Sequence, residues 1–124
     1  MNAELMLEVS ALLFLVAALG GATMAAIRFG GKHNPPAWLA MLHGFLAAAG
    51  VTLLAYAAFA FGVPAMAQVA LALFLVAAIG GAVLSLRYKW NRLLLPAWLV
   101  VLHATAAVLG FLLLLAVVLL GTDG

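Results

Sequence analysis

The chain has 124 residues, of which 70% are hydrophobic and 6% charged, with a mean hydropathy of +1.36. Soluble domains carry about a quarter charged residues, and five basic and three acidic side chains cannot coat a surface of this size, so a soluble globular domain is excluded. The net charge of +2 comes without a basic run, which leaves nucleic acid without support as a partner. The absence of cysteine excludes disulfides, thiolate metal ligands, iron–sulfur clusters and the dithiol quinone reductases.

A bilayer core of about 30 Å needs helices of about 20 apolar residues, and the chain supplies four such runs. The first, Leu5–Ile27, follows an acidic start, Met1 to Glu8; a cleaved signal would start basic and have a shorter core, so this reads as a membrane span. The others are Pro36–Phe61, Met66–Leu86 and Pro96–Leu120. No alternation of the kind a β-barrel requires is present. The fold class is therefore all-α, a single transmembrane domain over residues 1–124.

Arg28 and Lys32 separate spans one and two, and Arg87, Lys89 and Arg92 separate spans three and four, whereas the link Phe61–Ala65 is uncharged and Glu4, Glu8 and Asp123 lie near the termini. The positive-inside rule puts segments 28–35 and 87–95 in the cytoplasm and both termini outside, in a membrane read as a bacterial inner membrane. Pro36 and Pro96 suit the first helical position. Trp38 and Trp98, two residues further on, suit interfacial anchors, with Trp90 in the loop.

A shift of 60 aligns Phe14–Ala22 with Phe74–Ala82, Pro36–His43 with Pro96–His103, and Gly50 with Gly110. This reads as a tandem duplication of a helical hairpin, repeat one covering 1–60 and repeat two 61–124. Each unit has an even number of spans, so the copies are parallel, related by a pseudo-twofold along the membrane normal. His43 and His103 then form a symmetric pair, each seven residues past its proline and roughly 10 Å into the membrane. Gly20, Gly21, Gly80 and Gly81 fall at the same depth on the neighbouring helices. Gly50 and Gly110 are expected to let spans two and four approach closely. His33 is expected to be solvated, and Thr23, Thr52, Thr105 and Ser85 to satisfy their hydroxyls on their own helices.

An ionisable group inside a span is a functional candidate by default, and imidazole is an iron ligand. In this plan of four helices and paired histidines the chain resembles the four-helix membrane b-type cytochromes, which hold haem between histidines on antiparallel spans. The resemblance implies one haem b with His43 and His103 as axial ligands of its iron. Gly20, Gly21, Gly80 and Gly81 would clear its faces, and Arg28, Arg87 and Arg92, with Lys32 and Lys89, would meet its propionates. Two-haem members carry four ligand histidines; this chain has two in its spans, so one haem is the most it supports. Electron exchange with a quinol or a partner redox protein near the cytoplasmic side follows. Two other classes remain open: a small four-helix transporter or channel, of a kind that tends to form homodimers, and an accessory subunit whose histidines only pack. The transporter reading lacks a carboxylate deeper than Glu8.

Overall fold

In a computed structural model, which describes residues 1–121, the chain is all-α. Helix α1 spans Ala3–Gly30, α2 Ala37–Ala60, α3 Ala65–Val83 and α4 Ala97–Leu120. All four transmembrane candidates are long and apolar enough to cross a bilayer, the mark of an integral membrane protein. Asp123 lies outside the described residues.

Boundaries differ from the sequence expectation where charge was taken as a stop. Helix α1 runs through Arg28 to Gly30, because a cation in the last turn complements the helix dipole and the chain leaves only at Gly31, whose amide bonds Ile27 O. Helix α3 continues past Leu86 by changing register, with a π-helical turn over Leu84–Lys89. Pro36 and Pro96 are N-caps, not first helical residues; their carbonyls accept from Ala40 and Val100, so the prolines serve as acceptors just outside the helix. Trp38 and Trp98 project from the first turns of α2 and α4, both well exposed. Asn2 caps α1, its side chain accepting from Leu5 N at 2.8 Å.

Helices α1 and α2 pack closely as one antiparallel hairpin and α3 and α4 as another; α1 also packs on α4 and α2 on α3, so α1 faces α3 across the bundle and α2 faces α4. The main core lies toward the end that carries the chain termini, around Phe14, Leu54, Phe74 and Leu114. At its centre Phe14 and Phe74 stack with ring centroids 3.7 Å apart and planes 4° from parallel. A smaller cluster of Leu84, Leu95, Leu99 and Val100 lies at the basic end. Burial follows the 60-residue shift: Phe14 and Phe74, Ala17 and Ala77, Leu54 and Leu114, and Gly50 and Gly110 are all buried.

Gly50 and Gly110 do not serve contact between α2 and α4. A Cβ at Gly50 would stand 2.9 Å from Phe14 Cζ, and one at Gly110 3.3 Å from Phe74 Cε1, so each glycine seats the phenylalanine of its own hairpin. The stack needs this volume, and seven residues is two helical turns, which returns the glycine to the face of the histidine that precedes it.

Candidate functional site

The histidines come together, each held by its own hairpin. His43 Nδ1 donates to Ala17 O at 2.7 Å, and His103 Nδ1 donates to Ala77 O at 2.7 Å. A carbonyl only accepts, so Nδ1 carries a proton, and in the neutral ring Nε2 then carries the lone pair. The two ring centroids are 6.2 Å apart with planes inclined by 75°. Neither Nε2 has a hydrogen-bond partner among the described residues.

The paired glycines explain how the rings fit. A Cβ on Gly21 would come 3.1 Å from His43 Cε1, and one on Gly81 3.2 Å from His103 Cε1; at Gly20 and Gly80 the nearest histidine atoms would be 3.8 and 3.5 Å away. Gly21 and Gly81 therefore seat the imidazoles, and Gly20 and Gly80 lie beside the same side chains at ordinary contact distance. Two turns further toward the termini, level with Gly50 and Gly110, lies the Phe14–Phe74 stack. Both histidines are half-buried.

The basic residues lie outside this layer. Arg28 Nε donates to Leu95 O at 2.8 Å, Lys89 Nζ donates to Pro35 O, and the Arg87 guanidinium lies 5.6 Å from the Tyr88 ring centroid. Arg92 sits in the loop with a φ of 58°. His33 is exposed, its Nδ1 3.2 Å from Asn34 O. Thr23, Thr52 and Thr105 each donate to the carbonyl four residues back, as expected; Ser85 makes no side-chain hydrogen bond among the described residues.

Two polar devices escape a sequence reading. Ser10, fully buried, donates to Gly50 O at 2.8 Å and ties α1 to α2. Its signal was faint: a hydroxyl seven residues before Ala17, on the same helix face. Asn34 joins the two basic loops, its amide donating to Leu93 O at 2.8 Å while its oxygen accepts from Leu95 N at 3.0 Å. Beside a histidine and two prolines it looked like ordinary loop composition.

Among the described residues no group of three or more His, Cys, Asp or Glu side chains assembles. Zinc takes four protein ligands in structural sites and three in catalytic ones, so two imidazoles are too few for it. Two imidazoles on one metal ion would leave its other positions to non-protein ligands. The ordering of a ligand imidazole by an Nδ1–H bond to a backbone carbonyl is the usual support of metal-binding histidines. No family model, curated protein or solved structure matches this chain.

Proposed function

We propose that the chain is a small membrane b-type cytochrome in which His43 and His103 are the axial ligands of one haem b. The observation that carries the reading is the matched pair of Nδ1 bonds to Ala17 and Ala77, which leaves two ligand-ready Nε2 atoms on rings whose centroids are 6.2 Å apart. Nitrogens bound to one ion at about 2 Å each lie about 4 Å apart, a span those rings reach when their Nε2 atoms face each other. The symmetry of the pair is read as a tandem duplication of a parallel hairpin, which supplies both ligands at one depth.

Bound haem would supply one-electron chemistry, exchanged with a quinol or a partner redox protein near the basic end. By the positive-inside rule that end is cytoplasmic. The chain's own residues fix the imidazole tautomers through Ala17 and Ala77, and seat the rings on Gly21 and Gly81. The Phe14–Phe74 stack closes the bundle axis on the other side, which weighs against transport along that axis. The same two Nδ1 bonds also support a second reading, in which each histidine joins two helices and binds nothing.

Colour separates the two. Protein purified in detergent from haem-sufficient cells is expected to show a reduced-minus-oxidised b-type spectrum, lost or displaced in His43→Ala and His103→Ala and retained in His33→Ala. A chain that stays colourless after haem is added refutes the cytochrome reading and leaves the structural one. Equal pigment in all three variants would move the site elsewhere.

A further inference from the structure

We propose that the second hairpin holds one anionic phospholipid, an acyl chain lying in the groove between α3 and α4 and the phosphate meeting Arg87. The groove is a recess of about 370 Å³ beside His103. Its walls include Val76, Ile79 and Leu102, each more than half exposed, so it opens sideways to the hydrocarbon and its occupant arrives through lipid. Gly80 contributes no side chain to the floor. From Val76 to Val83 the groove follows α3 for about 10 Å, a length of acyl chain.

The groove ends at a basic lip. Tyr88 and Trp98 line it at the loop side, where aromatic side chains meet the headgroup level. The exposed Arg87 lies against the Tyr88 ring, at 5.6 Å from its centroid, and forms no ion pair with a described residue. The described acids, Glu4 and Glu8, are at the opposite end of the bundle. Arg28 and Lys89 are already turned onto the carbonyls of Leu95 and Pro35. A cation without an acidic partner, packed on a residue that lines an apolar groove, is complementary to a lipid with a negative headgroup, and a basic residue at the membrane surface attracts such a lipid by about 1 kcal/mol.

The first hairpin lacks this combination. Sixty residues before Arg87 and Tyr88 stand Ile27 and Arg28, and Arg28 points to the other loop. The π-helical turn Leu84–Lys89 is also confined to α3; π turns of this kind recur at functional sites. One lipid per chain follows.

Native mass spectrometry of the purified, delipidated protein tests this, with phosphatidylglycerol and phosphatidylcholine of identical chains as probes. The expected result is one retained phosphatidylglycerol, preferred over phosphatidylcholine. Arg87→Gln should weaken phosphatidylglycerol about fivefold, the equivalent of ~1 kcal/mol, and leave phosphatidylcholine unchanged. Ile79→Trp, or the smaller Ile79→Phe should the first not fold by circular dichroism, should fill the groove and lose both lipids. Leu19→Trp, at the matching position of the first hairpin, should lose neither. Equal retention of the two lipids, or a Leu19→Trp effect as large as that of Ile79→Trp, would overturn the proposal.

Discussion

Replacing Gly50 with alanine is expected to destabilise the bundle by about 1–2 kcal/mol. The added Cβ would stand 2.9 to 3.1 Å from three atoms of the Phe14 ring. A free phenyl group could swing away, but Phe14 is 5% exposed and its ring lies 3.7 Å from that of Phe74, so movement of one ring displaces the other. Overpacking of this kind costs about 1–3 kcal/mol, and the better helix propensity of alanine offsets at most about 1. Gly44 is the internal control, since a Cβ there meets nothing within 4 Å and Gly44→Ala should be neutral or slightly stabilising. Reversible unfolding in mixed micelles by SDS titration, followed by far-UV circular dichroism, measures both. Pairing Gly50→Ala with Phe14→Leu should recover part of the loss relative to Phe14→Leu alone. If Gly50→Ala is as stable as Gly44→Ala, or if the double variant is strictly additive, the stack does not confine the ring as described.

Ser10→Ala removes the bond to Gly50 O and should cost about 1 kcal/mol in the same titration, whereas Thr52→Val, whose hydroxyl bonds only its own helix, should stay within about 0.5; equal effects would contradict the cross-helix role of Ser10. Asn34→Ala should leave the Leu95 amide without its acceptor, and hydrogen exchange there should accelerate while the amides of α2 keep their protection. Gly21→Ala and Gly81→Ala should each displace an imidazole from its carbonyl, read as altered chemical shifts of the His43 or His103 ring nitrogens. Unchanged shifts in both would show that the glycines do not seat the rings.

The spans and the histidine pair were legible in the sequence because both depend on features that survive without knowledge of helix rotation. Twenty-odd apolar residues can only cross, and a shift of 60 puts His43 and His103 at one depth however the helices turn. Which face of each helix looks inward was not legible. In a soluble helix the polar stripe marks the outside; here lipid and core are both apolar, so Phe14, which is buried, and Phe45, which is 68% exposed, look alike. The misreading of Gly50 and Gly110 follows directly, since their partners depend on that rotation. Arg28 shows the complementary limit: its charge was taken to end a span, but a long side chain lets the helix continue while the guanidinium reaches Leu95.

The positions of the polar contacts also bear on how the molecule is made. Among the described residues, the hydrogen bonds that join helices inside the bundle are Ser10 with Gly50, His43 with Ala17, and His103 with Ala77, and each is complete within a single hairpin. The bonds between hairpins, from Arg28, Asn34 and Lys89, lie in or beside the loops. The first 60 residues thus contain, complete within themselves, both interhelix bonds of their hairpin, and of His43 only Nε2 is left without a partner. The second hairpin meets the first through apolar surfaces and the facing histidines, with the polar links between hairpins at the loops.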